Sequence, residues 1–181
     1  MGTAASSGLL ELRLAIAVIM AFHGTQKLFG WWDGGGLDRA ERFFAAQGFR
    51  PPRLMALVAG ATETCGAVLI GTGALSVLGT AMLTGVLTNV TAIHLRNGLD
   101  GKKHGFEFEL MILAGVVAVG LCGPGGWSVD HWLDLPRGAP WGPVAVAVGV
   151  LSGLIVVATR GPAAADPHPT SRQNREQSTT T

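Results

Sequence analysis

The sequence predicts an all-α membrane protein: a four-helix transmembrane bundle, a fifth C-terminal transmembrane helix and a short amphipathic helix in the first loop. Hydrophobic residues make up 48% of the 181 residues and charged residues only 14%, a balance typical of integral membrane proteins. Several apolar runs approach the roughly 20 residues that a helix needs to cross a hydrocarbon core. Loops rich in glycine, proline and tryptophan separate these runs.

Five apolar runs are candidate spans, at residues 9–29, 54–73, 75–95, 107–122 and 144–159. The last run is short, but it reaches the needed length if Trp141 and Arg160 flank it. Its Gly149 and Gly153 form a GxxxG motif, which favours close packing against another helix, either in the bundle or in a partner subunit.

The remaining segments complete the domain organisation. Residues 1–8 are small and polar and predict a flexible N-terminus, followed by the bundle at 9–133. Within it, residues 37–49 mix phenylalanines with charges and predict an amphipathic helix on the membrane surface or capping the bundle. A loop and the fifth span occupy 134–160. The tail at 161–181 has almost nothing to bury and predicts a disordered cytoplasmic segment.

The positive charges predict how the chain sits in the membrane. With five spans, every lysine and arginine except Arg13 and Arg137 falls on the side of the Trp31 loop. Cytoplasmic loops carry the excess of such residues. We therefore expect the N-terminus outside and the C-terminus in the cytoplasm.

Polar side chains within the spans lie at similar depths, in the cytoplasmic half of the bilayer. Because buried charge is costly unless it is paired, we predict one internal cluster, with Lys27 and His23 facing Glu63, Glu107 or Glu109. Glu63 lies near mid-membrane, too deep to reach water, whereas Lys27, His94 and Glu107 could equally be interfacial groups. The candidates are His23, Lys27, Glu63, Asn89, His94, Glu107 and Glu109.

Two further charges, Arg13 and Asp130, fall near the opposite face and predict a structural pair. His23, His94 and His104 lack the spacing of a metal site, so no metal is expected. The chain has no phosphate-binding glycine loop and no basic stacking surface, which excludes nucleotide and nucleic-acid binding as expectations.

The motif series resembles the DoxX family of small bacterial membrane proteins. It runs LRLAIAVIMAFHGTQKLFGWW, ATETCGAVLIGTG, HLRNG, GFEFE and GPGGWSVD in family order, over about residues 9–133. The resemblance implies a four-helix bundle in the bacterial inner membrane. It marks Arg13, His23, Gly24, Lys27, Glu63, Glu107 and Asp130. The fifth span and the tail lie outside the pattern.

The resemblance also implies a redox connection, since the family is named for a subunit of a thiosulfate:quinone oxidoreductase and relatives are linked to oxidative and thiol stress. We expect an accessory membrane subunit that anchors or assists an oxidoreductase complex, rather than an independent enzyme. The sequence has no flavin, haem or iron–sulfur ligation pattern, so quinone is the candidate cofactor. Expected partners are the lipid bilayer and either a membrane or cytoplasmic oxidoreductase or a second copy of the chain.

Two alternatives remain open. One is a membrane enzyme that binds a quinone or another small molecule and uses Glu63, His23 and Lys27 for proton transfer. The other is a small transporter or proton path, which needs a continuous polar route, whereas the outer half of the spans is largely apolar.

Overall fold

A computed structural model describes residues 2–103 and 105–162. The described residues form α-helices and contain no β-strand, which confirms the all-α class. Short 3₁₀ turns shape the loop after the third long helix. The α-helices are α1 (Thr3–Phe29), α2 (Gly36–Ala46), α3 (Pro52–Thr72), α4 (Ser76–His94), α5 (Glu107–Cys122), α6 (Val129–Trp132) and α7 (Trp141–Ala158).

Four helices, α1, α3, α4 and α5, form an antiparallel bundle. Gly24 of α1 approaches Gly60 of α3, and Ala17 approaches Gly71, so these two helices run in opposite directions. A Cβ atom on Gly24 would lie 2.9 Å from the carbonyl oxygen of Gly60. The missing side chain therefore lets the two backbones approach closely.

Helix α7 packs outside the bundle, parallel to α4. A Cβ atom on Gly149 would lie 2.6 Å from Cβ of Thr84, and one on Gly153 would lie 2.8 Å from Cβ of Thr88. Small residues thus admit α4 against this face of α7. The GxxxG motif therefore packs against α4 of the same chain, which is the first of the two packing partners that the sequence left open.

Four helices are long and apolar enough to cross a membrane: α1, α3, α4 extended to Asn97, and α7. The sequence indicated that the last span would be the short one, but α7 begins at Trp141 and has 18 residues. The shorter helix is α5, whose 16 residues reach about 24 Å at the usual helical rise. Outward-facing Val18, Met111 and Ile155 are more than 60% exposed and give these helices a lipid-facing surface.

The ends of the chain differ from the expectation in one respect. Helix α1 begins at Thr3, so residues 3–8 are helical and Ser6 is buried, although the sequence indicated a flexible segment. The reason is that Ser6 meets the loop after α5, where its Oγ accepts a hydrogen bond from the backbone N–H of Gly126. The tail beyond residue 162, expected to be disordered, lies outside the described residues.

Helix α2 caps one end of the bundle. Its Ala40 and Phe44 pack against Phe49, Ala56 and Ile93 in a small apolar cluster. On its wet side, Asp38 and Glu41 pair with the exposed guanidinium of Arg53 at 2.9 and 2.8 Å.

An apolar core fills the middle of the bundle and divides its interior. We call the side where α4 ends the His94 end, and the opposite side, where α3 ends, the Arg13 end. Each end carries its own group of buried polar side chains, which the core separates. The core residues are Ile16, Met20, Ala67, Ile70, Leu83, Leu87, Ile112, Val116 and Val119.

Candidate functional site

The closest ion pair in the bundle joins α1 to α3. Nζ of Lys27 donates hydrogen bonds to both carboxylate oxygens of Glu63, at 2.8 Å to Oε1 and 2.6 Å to Oε2. The Glu63 side chain is only 4% exposed, whereas that of Lys27 is 26% exposed. The lysine therefore links a buried carboxylate to the edge of the bundle.

The direction of the two helices explains how these residues meet. Glu63 lies 11 residues into α3, about 16 Å from its start, whereas Lys27 lies about 3 Å from the end of α1. Helical side chains lean towards the N-terminus of their own helix. Because α1 and α3 are antiparallel, the two side chains lean towards each other and close this gap.

A second pair joins α4 to α5 at the same end. Nδ1 of His94 lies 2.8 Å from Oε1 of Glu109. The two side chains are 25% and 14% exposed. The other oxygen, Oε2 of Glu109, is buried and has no hydrogen-bond partner among the described residues.

His23 lies between the two pairs. Its ring meets the ring of Phe108, the chain neighbour of Glu109, edge-on, with centroids 5.8 Å apart. It also lies four residues before Lys27, on the same face of α1. We call the set Glu63, Lys27, His23, Glu109 and His94 the five-residue cluster. Phe108 was not a sequence candidate, because an aromatic residue at the start of a span is typical of a lipid-facing position.

Two sequence candidates lie outside this cluster. Glu107 is exposed beside Gly101 in the preceding loop, because two residues of helix turn it about 200° away from Glu109. Asn89 is buried, but it is five residues from His94, which places it about 140° away around α4. Depth alone had grouped both with the cluster.

At the Arg13 end, the expected pair does not form directly. Arg13 and Asp130, both described in the structure, make no ion pair within contact distance of each other. Instead, the Arg13 guanidinium donates to four backbone carbonyls and is 1% exposed. Nε bonds Ile70 at 2.9 Å, Nη2 bonds Gly71 at 2.9 Å, and Nη1 bonds Trp127 at 3.0 Å and also Pro124.

Asp130 bonds the other side of the turn that connects α3 to α4. Its carboxylate accepts hydrogen bonds from the N–H groups of Leu75 and Ser76, at 2.7 and 2.8 Å. Arg13 thus donates hydrogen bonds to carbonyls at the C-terminus of α3, and Asp130 accepts hydrogen bonds from N–H groups at the N-terminus of α4. Helix ends leave such groups unpaired, and in the membrane water cannot satisfy them.

The remaining features are the metal-ligand candidates of the sequence and a cleft at the Arg13 end. Among residues 2–103 and 105–162, no three His, Cys, Asp or Glu side chains are placed to hold a metal ion. His104, considered as a metal ligand in the sequence, lies outside the described residues. A cleft of about 290 Å³ at the Arg13 end is lined by glycines of the loop after α5, with Cys122, His131 and Arg137.

Comparison with known proteins supplies the family. Residues 8–96 match the model of the DoxX family, a stretch that includes Arg13, His23, Lys27, Glu63 and His94. Neither the curated proteins nor the solved structures that were compared gave a match. Together with the all-helical membrane fold, this match shows that the chain belongs to the DoxX family.

Proposed function

We propose that this DoxX-family protein is an accessory membrane subunit that anchors or assists an oxidoreductase complex active in oxidative or thiol stress. The family match over residues 8–96 carries the proposal, since the family takes its name from a subunit of such a complex. The five-residue cluster supports an active part in that complex, because an accessory anchor needs no buried acid–base groups.

The proposed location is the bacterial inner membrane, with the N-terminus outside and the C-terminus in the cytoplasm. The charge distribution supports this orientation, because Arg96, Lys102 and Lys103 are exposed at the His94 end, while Arg13 is buried at the other. The cluster would then open towards the cytoplasm. An oxidoreductase partner would meet the protein on that side or within the membrane.

Co-purification tests the accessory role. A tagged full-length chain, extracted from its native membranes in a mild detergent, should migrate on a native gel with a redox-active protein, and deletion of the gene should lower that redox activity. Recovery of the chain alone, with no loss of membrane redox activity on deletion, would contradict the proposal.

A second candidate function is a membrane enzyme that binds a quinone or another small molecule. The unpartnered Oε2 of Glu109 favours it, because a ligand hydroxyl could donate to this oxygen. His23 and Phe108 would flank such a ligand. Purified protein in nanodiscs should then bind a quinol analogue, and Glu109→Leu should abolish this binding while Glu107→Leu preserves it.

A transporter or a proton path through the membrane is the least supported candidate. Met20, Ile70, Leu83 and Val116 are buried in the core between the two polar ends. A proton path needs polar groups throughout its length, and these four side chains are apolar, although the hydroxyls of Thr80 and Thr84 are buried beside them on α4. The geometry favours a site open to one side of the membrane.

A further inference from the structure

The charged side chains of α2 differ between the two flanks of the helix. On one flank, Asp38 and Glu41 are held by Arg53 of α3, at 2.9 and 2.8 Å. On the other flank, Arg39 and Arg42 are exposed, and their guanidinium groups make no hydrogen bond or ion pair with any described residue. This second flank therefore presents two positive charges outwards, while both carboxylates of the helix are engaged by Arg53.

An apolar side chain lies between these arginines and the buried face of α2. Phe43 is 41% exposed and lies about 60° around the helix from buried Ala40. Arg39 lies about 40° beyond Phe43, and Arg42 lies about 60° beyond Arg39. An aromatic side chain next to the buried face, with cations further out, is typical of a helix in the membrane–water interface.

The position of α2 brings this flank to the level of lipid headgroups. The buried residues of α2 pack against Ala56, in the second turn of α3, and against Ile93, the penultimate residue of α4. Both α3 and α4 are long and apolar enough to cross a membrane. Helix α2 therefore lies across the ends of two spans, where the hydrocarbon region meets the headgroups.

We propose that the flank of α2 formed by Arg39, Arg42 and Phe43 binds the headgroup of an anionic phospholipid. The two guanidinium groups contact the phosphate, and the Phe43 ring packs on the acyl chain beneath it. Arginine suits this role because its planar fork of N–H groups bonds two phosphate oxygens at once. An acidic protein would match the two charges but would not account for the exposed Phe43 ring. The inference goes beyond the proposed function and does not depend on an oxidoreductase partner.

Lipid titration tests the proposal on the full-length protein in a mild detergent. Either phosphatidylglycerol, which is anionic, or phosphatidylcholine, which has no net charge, is added, and the unfolding temperature gives an apparent dissociation constant. We expect phosphatidylglycerol to bind more tightly. Arg39→Gln and Arg42→Gln should each weaken its binding about fivefold, and the double variant about 25-fold. The binding of phosphatidylcholine should stay unchanged.

Two further double variants are the controls. Lys102→Gln/Lys103→Gln removes the same charge from the exposed loop after α4, and should weaken binding less than about twofold, because salt screens charges that are not in contact. Arg39→Lys/Arg42→Lys keeps the charge and should retain the preference for phosphatidylglycerol.

Three results would overturn the proposal. The first is wild-type lipid affinity for Arg39→Gln/Arg42→Gln, which would assign the surface to a protein partner if an acidic protein is lost from the purified material. The second is an equal loss in the lysine double variant, which would show attraction by overall charge. The third is equal affinity for inorganic phosphate and phosphatidylglycerol, because a lipid site gains affinity from the chain packed on Phe43.

Discussion

Both ends of the bundle bury charged side chains, but the hydrogen-bond partners of those side chains differ between the two ends. At the Arg13 end, backbone groups bond the two buried charged side chains: four carbonyls bond Arg13, and two N–H groups bond Asp130. At the His94 end, side chains answer side chains, and one carboxylate oxygen has no partner among the described residues. Backbone partners cannot titrate, whereas histidine and carboxylate partners can.

Exposure follows the same division. Arg13 and Asp130 are 1% and 0% exposed, while the side chains of Lys27 and His94 are about a quarter exposed. The Arg13 end is closed and joins a helix turn to a loop. At the His94 end, the side chains of Lys27 and His94 reach the surface of the bundle. Buried charge alone therefore does not distinguish the two ends of the bundle, whereas the kind of hydrogen-bond partner does.

Replacing Arg13 should have the largest effect on stability. Arg13→Leu leaves four carbonyls without their donor, and unsatisfied buried groups cost about 1–3 kcal/mol each. We expect a loss of about 4 kcal/mol or more, seen as failure to accumulate in the membrane. The control is Arg53→Lys, a change at an exposed ion-pair residue that should leave the stability nearly unchanged. Normal accumulation and an unchanged unfolding temperature for Arg13→Leu would remove the structural role of this end.

Breaking the Lys27–Glu63 pair should cost less than removing Arg13. Lys27→Met leaves Glu63 buried without its partner, which typically destabilises by about 3 kcal/mol. The double variant Lys27→Met/Glu63→Leu should recover at least half of this loss, because no buried charge remains. Thermal unfolding in nanodiscs measures both. A double variant that is less stable than Lys27→Met would show that the pair is needed for folding.

Asp130→Asn should have a smaller, local effect at the Arg13 end. The amide offers one oxygen where the carboxylate offers two, so one of the N–H groups of Leu75 and Ser76 loses its acceptor. The expected cost is about 2 kcal/mol, with faster hydrogen exchange at the start of α4. Asp134→Asn, at a side chain that is 95% exposed, is the matched control. Equal exchange in both variants would contradict the capping role.

Asn89→Leu should have the smallest effect. Its Nδ2 is buried without a hydrogen-bond partner among the described residues, so an apolar side chain of similar size removes an unsatisfied group. Stability should stay within about 1 kcal/mol of the wild type. A decrease in the unfolding temperature that corresponds to more than this amount would show that Asn89 belongs to a polar network.

The sequence could predict the helices, and it predicted that Lys27 and His23 would face Glu63, Glu107 or Glu109 inside the bundle. Lys27 shares a helix face with His23, and Glu63 is too deep to reach water, but these facts left the choice among the three carboxylates open. Helix rotation could not be predicted as well, because a depth count treats Glu107 and Glu109 alike. The packing of α5 against α1 and α4 places Glu109 on the inner face of the helix and Glu107 on the outer face.

The Arg13 end shows a second limit of sequence reasoning. Two opposite charges at one depth predict an ion pair, yet Arg13 and Asp130 bond separate ends of the α3–α4 turn. The unpaired carbonyls and N–H groups of a helix end occur at every such end, whatever its side chains. The fold decides which of these backbone groups receives a hydrogen bond from a side chain that is distant in the sequence.

The most direct test of the contrast compares activity with the amount of folded protein. Glu63→Gln and Asp130→Asn are each expressed in a deletion strain, and membrane redox activity is divided by the folded protein recovered. We predict that Glu63→Gln accumulates normally, because the lysine can still reach water, but loses at least about tenfold in activity per molecule. Asp130→Asn should lose protein while keeping wild-type activity per molecule. Wild-type activity per molecule for Glu63→Gln would contradict the assignment of function to the His94 end.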